Sequence, residues 1–266
     1  MNILVCIKQV PDTTEIKIDP VTNTLIRAGV PSIVNPFDAC ALEVAVRLKE
    51  SSGGRVTVLS MGPEQAKAAL KECLSVGADE AYLISDRAFG GSDTLATSYI
   101  LSVAVQAVQK KSEQVFDLIL CGKQAIDGDT AQVGPELSEH LNYPLVTYVS
   151  EVTEKDGALQ FKRESDEGYD FIASSLPAVV TVVKTAFDPR FPSLKSKMAA
   201  NKVDIPTLTS QDMEIDTSKC GLKGSPTKVK KTFVPVRQNN GIKITEQTVP
   251  AATAKLVGLL SKAQIL

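Results

Sequence analysis

Short apolar runs rich in β-branched residues alternate with helical periodicities through the first two-thirds of this chain, and that alternation constrains its fold more than any other feature. The runs are Ile3–Val10, Arg55–Ser60, Ala81–Ile84, Leu118–Cys121 and Ala178–Val183. Their nearly continuous hydrophobicity suits parallel strands covered on both faces; a strand with one wet face would alternate. Between them, Phe37–Glu50 carries Leu42, Ala45, Val46 and Lys49 at helical spacing. Pro63–Val76 opens with a proline that fits a first helical turn and repeats Ala66, Ala69, Leu70, Cys73 and Leu74. Asp93–Lys111 and Thr130–Leu141 read as two more helices. Such a series predicts right-handed βαβ units in a doubly wound, mostly parallel α/β sheet.

Two insertions interrupt the series. Pro11–Pro36, rich in Thr, Asp and Pro, has room for a short hairpin around Asp19-Pro20, and Glu151–Phe171 predicts a hairpin at Lys155-Asp156-Gly157. After Thr185 the pattern changes. Residues 186–250 hold many prolines, the basic cluster Lys228–Lys231 and little periodicity, before a final helix over Ala251–Leu266. Irregular stretches of this length are usually functional or partner-bound. The expected division is therefore an α/β nucleotide-binding domain over 1–185 and a partner-wrapping arm with a C-terminal helix over 186–266.

Composition excludes several classes. A net charge of -2 supplies no field for nucleic acid or a membrane surface. No apolar run approaches the ~20 residues of a membrane span, and the first residues read as a strand, so the expected location is cytoplasmic. Cys6, Cys40, Cys73, Cys121 and Cys220 are scattered without a C-x-x-C pair, which argues for buried thiols and against zinc or iron–sulfur ligation. His140 is the only histidine, and its spacing with Val133, Leu137 and Leu141 sets it beside the apolar face of a helix. A Ser-His-Asp mechanism or a multi-histidine metal site is not expected, and no catalytic residue is nominated.

The stretch richest in chemistry is Gly122-Lys123-Gln124-Ala125-Ile126-Asp127-Gly128-Asp129-Thr130-Ala131-Gln132-Val133-Gly134-Pro135. It starts at the carboxyl end of a strand, where open α/β folds bind ligands. Gly122 and Gly128 permit close backbone approach, Asp129 or Thr130 suits an N-cap, and the helix N-terminus behind them favours a phosphate. Lys123 adds a positive charge, and Asp127 is an acceptor for ribose or adenine. This chemistry fits a nucleotide, and it fits a tight capped β–α turn as well. The loop with Cys6, Lys8 and Gln9 and the turn Ser60-Met61-Gly62-Pro63 converge on the same edge. Asn35-Pro36-Phe37-Asp38 reads as a capping turn before the first helix.

Taken together, Lys8, Asn35-Pro36-Phe37, Ala45–Lys49, Gly62-Pro63, Gly77-Ala78-Asp79, Gly122–Asp127 and Leu176–Thr181 follow the order seen in electron-transfer flavoprotein β subunits, which the chain resembles over nearly its whole length. The resemblance implies a Rossmann-like adenine-nucleotide-binding fold and an obligate heterodimer with an α subunit carrying its own FAD. It implies a pocket built from Cys6, Asn35, Pro36, Phe37, Asp38, Met61 and Gly122–Val133. It also implies a partner-recognition loop with a leucine anchor, matched by Leu194, and an acyl-CoA dehydrogenase or related flavoenzyme as acceptor.

Family members of the mitochondrial type hold AMP, with a loop resembling Asp-Asp-Asp-x-Asn-Gln-Thr-Gly. Here Gly128 replaces an aspartate, which removes charge and bulk where a diphosphate would lie. Gly90-Gly91-Ser92-Asp93-Thr94 is a glycine-hydroxyl turn at a helix start, where Ser92 and Thr94 offer hydroxyls to a diphosphate. Both features resemble the electron-bifurcating branch, which implies FAD in this chain, NADH as electron donor, and ferredoxin or flavodoxin as one acceptor. The same turn superficially resembles the Ser-Gly-Gly-x-Asp-Ser loop of ATP pyrophosphatases, but that loop follows the first strand of its domain and this one follows the third. A stress-type nucleotide-binding module that simply dimerises leaves the arm unexplained.

Overall fold

The computed structural model describes residues 1–12, 31–155, 158–230 and 241–266. In chain order the elements are β1 (Asn2–Cys6), β2 (Gln9–Pro11), β3 (Ser32–Val34), α1 (Pro36–Ser52), β4 (Arg55–Met61), α2 (Lys67–Ser75), β5 (Glu80–Ile84), α3 (Thr94–Ser112) and β6 (Leu118–Gly122). They continue with α4 (Val133–Leu141), β7 (Leu145–Lys155), β8 (Ala158–Ser165), β9 (Gly168–Ala173), β10 (Ala178–Val182), α5 (Leu194–Asn201), β11 (Thr207–Leu208), α6 (Gly221–Gly224) and α7 (Val249–Lys262).

The main sheet has nine described strands in the order β11-β5-β4-β1-β6-β10-β7-β8-β9. All pairings from β11 to β7 are parallel, and β7–β8 and β8–β9 are antiparallel. Period-two alternation splits the strand residues between two cores. Ile3, Val5, Val56, Val58, Leu118 and Leu120 face α1 and α2; Leu4, Leu59, Ile119 and Cys121 face α3 and α4. Helices on both faces explain the unbroken apolar strands, and each fully buried Leu or Ile contributes about 1.5–3 kcal/mol. The fold is α/β with a mostly parallel, doubly wound sheet, as the alternation predicts. From β1 the chain winds to β4 and β5, then crosses back to β6. A crevice therefore opens at the carboxyl ends of β1 and β6.

Several elements differ in detail from expectation. The first apolar run breaks after Cys6, because Lys8 N–H turns out of the sheet to the Asp38 carboxylate, and Gln9–Pro11 pairs with Ser32–Val34 instead. The Asp19-Pro20 tip lies outside the described residues. Pro63 precedes a 3₁₀ turn over Glu64–Ala66, so the α-helix proper starts only at Lys67. β7 and β8 pair antiparallel with Lys155 opposite Ala158, the expected tip Asp156-Gly157 lies outside the described residues, and the two strands are no separate insertion. They join β9 and extend the main sheet, with Phe161 fully buried against the α1 side.

The chain divides into two compact units, Met1–Lys17 with Leu25–Lys230, and Ile18–Thr24 with Lys231–Leu266. The irregular stretch set apart at residue 186 thus belongs to the first unit as far as Lys230. There β11 pairs with β5, and Ala200, Ile205, Leu208, Met213 and Cys220 are buried. Its packing depends on scattered single contacts, which leave no periodicity to read. Within the second unit, α7 is capped by Thr248 Oγ1, which accepts the Ala251 N–H at 3.4 Å, and none of its residues is buried.

Candidate functional site

The crevice holds a cavity of about 350 Å³. From β1 and β4 come Cys6, Lys8, Leu59 and Met61, and from the start of α3 come Ser92, Asp93, Thr94 and Thr97. The loop after β6 supplies Gly122, Lys123, Gln124, Ala125, Gly128, Thr130, Ala131, Gln132 and Val133, and Asp38 closes the floor. Most of the residues singled out in the sequence meet here. Asn35, Pro36, Phe37, Ile126, Asp127 and Asp129 stand beside the cavity without lining it. Ile7, Leu59, Thr97, Leu101 and Cys121 were missed. Period two from Met61 would have found Leu59, and Cys121 directly precedes Gly122. Thr97 and Leu101 are invisible without knowing where α3 packs.

A larger cavity of about 760 Å³ lies between α1, α2 and Asp188–Pro192, lined by Phe37, Leu42, Val46, Val76 and Phe191 among others. Its wall is mostly apolar, and the carboxylates Glu43, Glu72 and Asp188 outnumber the cations Lys184 and Arg190, which disfavours a phosphate, so size does not mark it as the site.

The two helix N-termini at the site differ. At α3, Asp93 accepts the Ala96 N–H at 3.1 Å and the Thr227 N–H at 2.9 Å. Burial pushes the Asp93 carboxyl up, but these N–H donors more than offset it and hold it below the usual range. A charged cap therefore occupies the α3 terminus. At α4 neither Asp129 nor Thr130 caps the helix. Gln132 stands at the cap position without a side-chain bond, and the first turn is left to the cavity. Orphan N–H groups and the helix dipole make this the anion-favouring end. Asp129 and Ala131 have φ values of 51° and 54°, a left-handed conformation that non-glycine residues adopt at a cost.

Several polar side chains around the cavity have identified partners. Lys8 Nζ pairs with Asp127 Oδ1 at 2.6 Å, so Asp127 faces a lysine where a ribose had been expected. Lys123 Nζ lies 5.5 Å from the Tyr148 ring centroid and 5.9 Å from that of Phe37. Ser92 Oγ donates to Phe89 O at 2.8 Å and accepts the Gly221 N–H at 3.0 Å. Thr94 Oγ1 donates to Glu136 Oε1 at 3.1 Å. Asn35, placed as a cap, makes no side-chain cap bond to α1. Burial pushes the Asp38 carboxyl up to about 7, against the N–H groups of Asn35, Lys8 and Gly122 and the Lys8 charge. The Cys6 thiol and burial hold Cys121 as a neutral thiol.

Gly122 uses its lack of a side chain against the protein, since a Cβ there would meet Asp38 and the Phe37 backbone. Gly128 has no atom within 4 Å of where its Cβ would be, so space beside the loop stays open. His140 is exposed on α4, edge-on to Tyr99 at 5.9 Å, and does not line the cavity. Among the described residues no metal-binding cluster occurs. No helix among them is long and apolar enough to cross a membrane. A lysine-flanked crevice with an open helix N-terminus favours an anionic group.

Residues 22–213 match the model of the electron transfer flavoprotein domain. The chain belongs to the electron transfer flavoprotein β-subunit family. It is 49% identical over 267 residues to an electron transfer flavoprotein subunit beta of Thermoanaerobacterium thermosaccharolyticum, covering 100% of both chains. It is 47% identical to the caffeyl-CoA reductase-Etf complex subunit CarD of Acetobacterium woodii, again over 100% of both. With the protein FixA of Azotobacter vinelandii it shares 46% identity, covering 92% of this chain and 88% of the other. Membership accounts for the fold. Leu194 opens α5 behind the Ser193 cap and is 78% exposed, next to the exposed Phe191 and Met198.

Proposed function

We propose that this chain is the β subunit of a bifurcating electron-transfer flavoprotein that binds FAD and takes electrons from NADH. One electron goes to ferredoxin or flavodoxin, and the other goes through the α-subunit FAD to an acyl-CoA dehydrogenase or related flavoenzyme. The observation that carries this reading is the loop at Gly128, where open space stands beside the α4 N-terminus in place of the aspartate of AMP-binding relatives. The α4 N–H groups and Lys123 would hold the phosphates, and Lys8 would stand at the cavity mouth. The bound flavin would supply hydride acceptance and one-electron transfer, while the protein orients it and excludes water. Relatives named as part of a caffeyl-CoA reductase complex and as FixA support the same branch.

One observation favours a second reading. About 350 Å³ suits a mononucleotide, and Asp93 places a charge where a diphosphate would meet α3. A non-bifurcating β subunit holding AMP and serving acyl-CoA dehydrogenases fits that. Extraction of the purified heterodimer followed by anaerobic NADH titration separates the two. We expect two FAD per heterodimer and bleaching by NADH; one FAD with one AMP and no response to NADH would establish the second reading.

The exposed Phe191, Leu194 and Met198 and the unburied α7 are assigned to the partners, the recognition loop to the acceptor flavoenzyme and the C-terminal arm to the α subunit. Leu194→Ala is expected to raise the KM for the acceptor flavoenzyme about tenfold, the size of a modest interface anchor, with cofactor content unchanged. Steady-state kinetics with varied acceptor concentration would show it, and an unchanged KM would remove Leu194 from the interface.

A further inference from the structure

We propose that Asn35 is a positioning residue that, bonded to Asp38 of the cavity floor, shapes the cavity loop Gly122–Ile126, and through it nucleotide affinity, without itself hydrogen-bonding the ligand. The proposal rests on the cavity being a nucleotide site. Asn35 is fully buried and outside the cavity wall. Its Nδ2 donates to Gln124 O at 2.9 Å and to Asp38 Oδ1 at 3.0 Å, and its Oδ1 accepts the Ile126 N–H at 3.1 Å. Both amide hydrogens are thereby taken. Asp38 Oδ2 accepts the Lys8 N–H at 2.7 Å and Oδ1 accepts the Gly122 N–H at 3.1 Å.

The pair therefore joins three distant parts of the chain: the end of β1, the N-terminus of α1 and the loop after β6. Its geometry is directional. A donor meets each carbonyl or carboxylate and an acceptor meets each N–H, so no apolar side chain of the same shape can replace it. With no backbone ladder beyond Gly122 other than the Lys123 N–H to Val182 O, the Asn35 bridge gives Gln124 and Ile126 a fixed place. The resemblance implies ligand contact by Asn35–Asp38; for Asn35 the geometry points instead to action through the loop.

The test uses the full heterodimer with Asn35→Ala, Asp38→Ala and the double variant. In nucleotide-free protein, amide exchange over 122–128 is expected to rise about tenfold or more in each single variant, with little further increase in the double and no change in the core of α3. Affinities for AMP and for FAD, measured separately by calorimetry, are expected to fall about tenfold by the same factor, again without additivity. Unchanged loop exchange would overturn the proposal. So would additive losses that differ between the two nucleotides, which mark direct contact. If the unaltered heterodimer binds neither nucleotide, the reading of the cavity fails while the exchange experiment still decides the clamp. Should Asn35→Ala not fold, Asn35→Ser breaks the same bridges with a polar group retained.

Discussion

Gly122→Ala is expected to destabilise the protein by about 3 kcal/mol and to abolish measurable nucleotide binding. The added Cβ would overlap Asp38 Oδ1 and stand 2.7 Å from both the Asp38 backbone nitrogen and the Phe37 carbonyl carbon. A flexible side chain can yield to such a contact, but backbone at the first turn of α1 cannot without moving the helix or the end of β6. Overpacking of this kind costs about 1–3 kcal/mol, and the Gly122 N–H bond to Asp38 is lost with it. Denaturant titration would show a lowered midpoint with the slope unchanged. An unshifted midpoint would mean that the α1 terminus is far more compliant than its packing implies.

Arg190→Ala is expected to cost about 2–3 kcal/mol at pH 7, because it removes one partner from a nearly buried carboxylate. Arg190 Nε bonds Glu43 Oε2 at 2.8 Å, its Nη2 bonds Glu43 Oε1 at 3.1 Å, and its Nη1 reaches Glu50 Oε1 at 2.5 Å. Glu43 is 3% exposed and would keep Arg47, whose Nε lies 2.8 Å away, and the backbone N–H of residue 190 at 3.1 Å, but lose the guanidinium charge. The figure is set below the full value for a buried pair because Arg190 is itself 32% exposed, and the half-exposed Glu50 adds little. Arg190 also fastens the stretch after Thr185 to α1, so its loss should loosen that stretch first.

The pH dependence follows from the carboxylates. Burial raises the Glu43 pKa, but hydrogen bonds from Arg190 and Arg47 outweigh it and the net shift is downward. Glu50 is lowered chiefly by its Arg190 hydrogen bond. A depressed folded pKa gives stability that is present above the unfolded value, about 4.3, and is lost as pH falls through the folded value. The deficit of Arg190→Ala should therefore be full at pH 7 and shrink below about pH 4, where the variant's Glu43 becomes neutral. Thermal unfolding of both proteins across pH 3–8 would check this, and a pH-independent deficit would show that packing and not charge sets the effect.

How much was legible beforehand varied by element. The βαβ series was readable because strands buried on both faces must be apolar throughout, and that needs no knowledge of neighbours. Gly122–Val133 was readable as a ligand loop for a similar reason, since it follows a strand and precedes a helix. β11 was not legible, because two residues carry no period and pair only where β5 leaves an edge. Asn35 was read as a local cap because capping is the commonest local use of asparagine before a helix. Its actual partners, Gln124 and Ile126, lie about ninety residues away in sequence, with separations of 89 and 91.

The sequence by itself determined the α/β class, the doubly wound arrangement and the sheet edge at which the cavity opens, because each follows from periodicities that are local to the chain. Tertiary structure alone decided which helix N-terminus is open. The sequence offers Asp129 or Thr130 as a cap for α4, and only the structure shows α4 without a side-chain cap while Asp93 caps α3 and also accepts the Thr227 N–H. Tertiary structure also decided that Gly122 makes room for Asp38 and Gly128 leaves space free. The physical reason is common to these cases: local propensity is written within a few residues, whereas hydrogen-bond partners and excluded volume depend on which distant segments packing brings together.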